Sequence, residues 1–283
     1  MNPDQVIGIL VTVTLVELMV ATGLGVQVEA VIAAASDWRL MLRAGFANYV
    51  VVPAMTVVLL RLFHAEPTVA FGFMILAVCP GAPYGPALTA IAQGNTATSV
   101  GLMALLAASS VFIAPLLLPA LLPLTTGETA VTVDTLGMLK AMFLIQLLPL
   151  GIGLAARHWL PDLAARLVKP AVTLSKVLNA ATFTLLIAVE FRPLLHVTGL
   201  GILGMLALLG LSLAAGWLAG GKRDPDCKAV ALTTAIRNVG LGLTITAGGA
   251  FAGTSAATAV LAYGLVQLLG SLLPALWWRR TPP

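Results

Sequence analysis

The sequence predicts an all-α polytopic membrane protein of about nine spans, with no separate soluble domain. Three observations predict it. Only 9% of the 283 residues are charged and 59% are hydrophobic, whereas a soluble globular domain carries about 25% charged residues. Mean hydropathy is +1.02. Apolar runs recur from Val6 to Trp278, each near the ~20 residues that cross a hydrocarbon core. So few charges cannot cover a water-facing surface, so the solvent of this chain is lipid.

The elements follow in order. Met1-Asn2-Pro3-Asp4-Gln5 has no basic n-region and the first run has no small-residue cleavage site, so 5–26 reads as a retained helix. The second run, 40–62, stops at the polar stretch Arg61 to Pro67. The third, 68–92, stops at Gln93-Gly94-Asn95, and the fourth, 96–123, before the connector Thr125 to Asp134. Then come 135–158, 170–191 and 197–219, closed by the most polar turn, Gly220 to Asp226. The last two are 227–250 and 255–278. The chain reads as one transmembrane domain, 1–283, with a four-helix repeat over 5–123 and a five-helix repeat over 135–278. Gly216-x-x-x-Gly220 reads as helix packing. Cys79 and Cys227 fall in different settings and give neither a disulfide framework nor a metal spacing.

Basic residues sort between alternate connectors. Arg39, Arg43, Arg157, Arg166, Lys169, Lys222, Arg223, Lys228, Arg279 and Arg280 fall on one side, and Arg61, Lys140 and Arg192 on the other. The positive-inside rule makes the first set cytoplasmic in an inner (plasma) membrane. The N-terminus is then outside and the C-terminus inside, and Trp159, Trp277 and Trp278 sit at the inner interface. The net charge of +4 is mostly this topology signal. It implies lipid as neighbour and no nucleic acid.

Two spans are interrupted. Cys79-Pro80-Gly81-Ala82-Pro83-Tyr84-Gly85-Pro86 holds three prolines and two glycines in eight residues. Proline removes a donor and clashes with the preceding turn, and broken backbone in a bilayer persists only in protein or along a cavity. The eighth span carries Thr233-Thr234-Ala235-Ile236-Arg237-Asn238-Val239-Gly240-Leu241-Gly242, polar at its middle. Interrupted segments at corresponding places in two halves point to a transporter site near the midplane. Kinked packing helices are the plainer alternative.

At these residues the sequence resembles the bile acid:sodium symporter family. Cys79-Pro80-Gly81, Ala92-Gln93-Gly94-Asn95 and Ser99 are similar to its CPGG…LA(K/R)GN…S signature. Ile113-Ala114-Pro115-Leu116-Leu117 is similar to its SPLLTP stretch, and Arg237-Asn238-Val239-Gly240-Leu241 to its QNSGLA. The resemblance implies a ten-helix fold of two inverted repeats, with a panel, a core and two crossed broken helices, here lacking the first helix. It implies alternating access, and a small or medium organic anion as partner.

The departures concern sodium. The family's Ser-Asn pair after CPGG falls on Gly85 and Pro86, and its Ser/Thr pair in the next helix on Ser99 and Met103. Its glutamate ahead of the second break falls on Thr233, the following glutamine on Arg237, and a glutamine of the second span on Asn48. Asn48, Ser99 and Thr233 are thus the remnants of ion sites. A guanidinium there repels a cation by ~4 kcal/mol at 4 Å and an effective dielectric near 20. Sodium coupling is therefore not carried over, and no cofactor or metal is expected.

A charge at mid-bilayer needs a partner or a cavity. Arg237 either binds an anionic substrate directly, with Asn238, Gly81, Tyr84, Thr233 and Thr234 around it, or is locked in an ion pair with Glu17 or Glu190. Glu17 suits a proton-coupling carboxylate equally well. Lys176 and Glu190 snorkel, and Asn48, Gln146, Asn179 and Gln267 read as interhelical hydrogen bonds. The alternatives are a sodium- or proton-coupled symporter using other ligands, a channel or structural subunit, and an intramembrane enzyme. His64, His158 and His196 lie near span ends on both sides, and Asp224-Pro225-Asp226 lies in a basic turn. No nucleophile–base pair or metal cluster results, so an enzyme is not expected.

Overall fold

The computed structural model describes residues 3–126, 133–246 and 254–280. Among them every regular element is helical. Eight helices among the described residues are long and apolar enough to cross a membrane. The third expected span is the exception, because its prolines split it into α5 and α6, and with it the expected spans number nine. Residues 247–250, the end of the eighth expected span, lie outside the described residues, as does most of the connector before Asp134.

Helix α1 is Pro3–Gly25, and α2, Val28–Ser36, follows it. The second span is α3 (Trp38–Phe46), a π-helical turn over Ala47–Val51, and α4 (Val52–Leu62). The interrupted third span is α5 (Pro67–Val78) and α6 (Gly85–Ile91), followed by α7 (Thr96–Leu121) and the short α8 (Pro123–Thr126). Then α9 (Thr135–Met142), a second π-helical turn over Phe143–Leu147, and α10 (Leu148–Trp159) form one span. Helix α11 is Pro161–Val189, α12 Phe191–Leu195 and α13 Gly199–Ala219. The second interrupted span is α14 (Asp224–Ala235) and α15 (Val239–Thr246), and α16 (Ser255–Arg280) closes the chain.

Local chemistry sets these boundaries. Asp37, Asn95, Asp134 and Thr198 cap α3, α7, α9 and α13, each side chain accepting from a backbone N–H three residues on. Each π-helical turn ends two residues before a proline, Pro53 or Pro149. Proline cannot donate to the carbonyl four residues back and its ring crowds that carbonyl. A wider turn relieves the clash. Both turns carry a fully buried amide, Asn48 in one and Gln146 in the other.

Helix α1 packs along α10 and α11, α13 along α14, and α16 along α5. Glycines allow the closest approaches. A Cβ on Gly23 would lie 2.4 Å from the Leu150 carbonyl, and one on Gly216 would lie 2.6 Å from Ala231. The Gly216-x-x-x-Gly220 spacing is thus the seat of α14. Burial separates centre from rim. In α14–α15, 83% of the most apolar stretch is buried, against 17% in α11. Leu163, Leu167, Leu174 and Val177 of α11 face outward, as residues solvated by lipid do.

Two boundaries differ from expectation. The expected loop 27–39 contains α2, whose Val28-Glu29-Ala30-Val31-Ile32-Ala33-Ala34-Ala35 is helix-forming but too short to span. Glycine 101 of α7 receives it, a Cβ there falling 2.4 Å from Ala34. Helix α11 starts nine residues before position 170, because Pro161 sits at its first turn, where a missing N–H costs nothing.

Candidate functional site

The two breaks meet. The Asn238 backbone N–H donates to the Cys79 carbonyl at 3.0 Å, tying the start of α15 to the end of α5. The first break is made by backbone chemistry. Pro80 and Pro83 remove donors, and Gly81 takes φ +88°, with its α-carbon pressed on α7. Any Cβ there would lie 2.3 Å from the Ala107 nitrogen. Gly81 is therefore a packing requirement of the first break.

The second break contains neither glycine nor proline over Ile236-Arg237-Asn238. Side-chain amides replace the helical ladder. Gln267 of α16 accepts from the Arg237 N–H and donates to the Arg237 carbonyl, both at 2.9 Å. Asn238 accepts from the Leu241 N–H at 3.1 Å, capping α15, and its amide donates to Gln146 at 2.8 Å. Gln146 in turn donates to the Ala107 carbonyl at 2.6 Å and to Ser110 at 3.0 Å.

Arg237 is only 2% exposed. Its Nη1 donates to the Asn48 side-chain oxygen at 3.1 Å, while the Asn48 amide donates to the Ala44 carbonyl and to Thr234. Tyr49, Cys79 and Tyr263 lie within electrostatic reach of the guanidinium. Next to this cluster stands a row of buried hydroxyls. Thr89 lies 3.0 Å from both the Gly85 carbonyl and Ser99, and Ser99 lies 2.8 Å from Thr233. Met103, beside them in α7, is 2% exposed and brings no oxygen.

The carboxylates named from the sequence go elsewhere. Ser175 donates to Glu17 at 2.6 Å, and Thr258 donates to Glu190. Among the described residues the ion pairs are Arg223–Asp226 and Lys228–Asp224. Neither Glu17 nor Glu190 is thus the charge partner of Arg237 in this structure. Lys176 is exposed.

A narrow, mostly apolar cleft runs past the crossing, between α1 and α11 on one side and both breaks and α16 on the other. Its polar groups are Thr14, Tyr84, Asn179, Thr182, Asn238 and Gln267, and among its apolar ones are Leu15, Pro83 and Phe183. The Tyr84 hydroxyl donates to Asn179 at 2.7 Å across the cleft. Of the residues expected around a substrate, Tyr84 and Asn238 line this cleft. Arg237, Thr233 and Thr234 lie behind it, with Arg237 turned to Asn48. A second crevice, lined by His64, Phe73, His196 and Thr258, touches neither break.

Thr89, Tyr49, Tyr263 and, Asn179 apart, the cleft residues of α1 and α11 were not singled out by sequence. Thr89 was accessible in principle, lying one turn beyond Gly85. The others depend on tertiary placement.

A sequence model of the Sodium Bile acid symporter family matches residues 12–196. The chain belongs to that family. The family match and the apolar helices make it a multi-pass membrane transporter. Among similar proteins, the uncharacterized sodium-dependent transporter YocS of Bacillus subtilis is 26% identical over 247 residues, 86% of this chain and 74% of that one. The probable sodium/metabolite cotransporter BASS1, chloroplastic, of Arabidopsis thaliana is 34% identical over 111 residues, 39% of this chain and 26% of that one. The corresponding BASS2 of Oryza sativa is 29% identical over 166 residues, 56% of this chain and 37% of that one. The matched part is thus a minority of either plant protein.

Proposed function

We propose that this chain is a secondary carrier of a small or medium organic anion, in which Arg237 occupies the crossing in place of a coupling sodium ion. The observation that carries this reading is the buried guanidinium held by Asn48 at 3.1 Å, with its backbone clamped by Gln267. The hydroxyls of Thr89, Ser99 and Thr233 bond to one another. They bring no carboxylate to offset the dehydration of an ion. The cleft suits a solute with an apolar body, met by the neutral side chains of Tyr84, Asn179, Asn238 and Gln267. Alternating access moves the two broken helices and their neighbours against α1, α10 and α11. The Tyr84–Asn179 and Asn238–Gln146 bonds are among those that break in that motion. Sodium dependence belongs to the relatives' names, and a resident guanidinium supports its absence here.

The test is a thermal ramp of the detergent-purified protein against a panel of organic anions, in sodium chloride and in choline chloride. A stabilising anion that acts equally in both salts upholds the reading. Stabilisation only in sodium overturns it and means that other oxygens hold the ion.

Glu17 favours a second reading, proton coupling, because its half-buried carboxylate bonds Ser175 one turn from Asn179 at the cleft. Uptake that keeps its pH dependence in Glu17→Gln rules this out.

A further inference from the structure

We propose that the protein binds a small inorganic anion, of the halide class, on the free edge of Arg237. The inference rests on the reading of Arg237 as the resident cation of the crossing. Of the guanidinium nitrogens, Nη1 is taken by Asn48, while Nε and Nη2 are buried without a hydrogen-bond partner. Those two share one edge, the fork with which arginine grips an anion through two parallel N–H bonds.

One further buried group stands nearby. The Tyr263 hydroxyl of α16 lies within electrostatic reach of Arg237 and pairs with Ser212 of α13. Buried polar groups are satisfied almost without exception, so two unpartnered N–H donors on one edge of a buried cation mark a ligand. Its charge follows from the surroundings. Asn48, Tyr49, Cys79 and Tyr263 are neutral, and both ion pairs of the described residues lie at the start of α14. Water would satisfy the donors but leave a full buried charge uncompensated, which is costly. A monovalent anion does both. Its size follows from position: Arg237 is sealed from the cleft by Asn238 and Gln267, so an organic substrate in the cleft does not reach the fork.

The result is an inversion of charge. A diffusible cation beside a fixed carboxylate is replaced by a fixed cation beside a diffusible anion, and the crossing stays neutral.

The test is X-ray diffraction at the bromine edge from crystals of the full chain grown with sodium bromide in place of chloride. The expected result is an anomalous peak within hydrogen-bond reach of Arg237 Nε and Nη2, weakened in Tyr263→Phe. Ordered water or no density on that edge overturns the proposal. Tyr263→Phe removes one hydroxyl and keeps the core filled, so the comparison does not depend on Arg237→Gln folding. The sodium-against-choline ramp, run at constant chloride, fails independently. A bromide peak with sodium-only stabilisation keeps the anion site and removes the sodium-free carrier, and no peak with equal stabilisation does the reverse.

Discussion

Replacing Gln267 with methionine removes the clamp on the second break while nearly preserving volume. Gln267 is 2% exposed and bonds both backbone groups of Arg237 at 2.9 Å. In Gln267→Met that N–H is left buried and unpaired, while the carbonyl keeps the Val239 N–H at 2.9 Å. The unsatisfied group costs about 1–3 kcal/mol. That is a large share of the ~5–15 kcal/mol that holds a folded protein together. At roughly 2–4 °C per kcal/mol, the unfolding midpoint of the purified protein falls by roughly 2–12 °C. The assay is intrinsic tryptophan fluorescence during a thermal ramp. A midpoint within about 1 °C of the unmodified protein would refute the reasoning, because it would mean that residue 237 finds other partners without cost.

Gly81→Ala destabilises by more than about 3 kcal/mol, since a left-handed backbone and a backbone clash add, whereas Gly8→Ala, with nothing within 4 Å of the new Cβ, is neutral or slightly stabilising. The same ramp ranks the two. Asp226→Ala lowers stability by about 2 kcal/mol, because its carboxylate accepts from Asn95 at 2.8 Å and Thr98 at 3.2 Å. Arg223→Ala, whose side chain is 78% exposed at 3.6 Å from Asp226, changes it by less than about 1 kcal/mol. For orientation, single cysteines replacing His64 and Lys222 in a chain without Cys79 and Cys227 are probed with a membrane-impermeant thiol reagent. Intact cells label position 64 and not 222, and the opposite pattern reverses the topology.

Much of the architecture was legible because lipid imposes a simple code. Long apolar runs, their polar ends and the Pro80-Gly81-Ala82-Pro83 break were all written in residue types whose effect is local. Helix α2 was missed because nine residues, seven of them apolar, satisfy neither a span nor a loop pattern, and the start of α11 because Asp162, Arg166 and Lys169 read as a connector. The π-helical turns had a signal in Pro53 and Pro149, but proline alone does not say whether a helix kinks or widens. The site was less legible. That Arg237 and Asn238 matter followed from their depth, while their partners Asn48 and Gln146 lie 189 and 92 residues away in sequence. No spacing rule joins them. Glu17 and Glu190 were attractive partners on charge alone, and the fold gave them to Ser175 and Thr258 instead.

The breaks differ mechanically. Pro80 and Pro83 cannot donate to a helical ladder, and Gly81 between them takes φ +88°, so the first interruption is built into the local backbone. The second is conditional. Residue 237 has an intact N–H and carbonyl, and Gln267 holds both off the ladder, the carbonyl together with the Val239 N–H. A rearrangement that draws α16 away frees the N–H to wind into the helix and leaves the carbonyl with Val239 alone. The crossing is therefore built from one rigid elbow and one that can straighten.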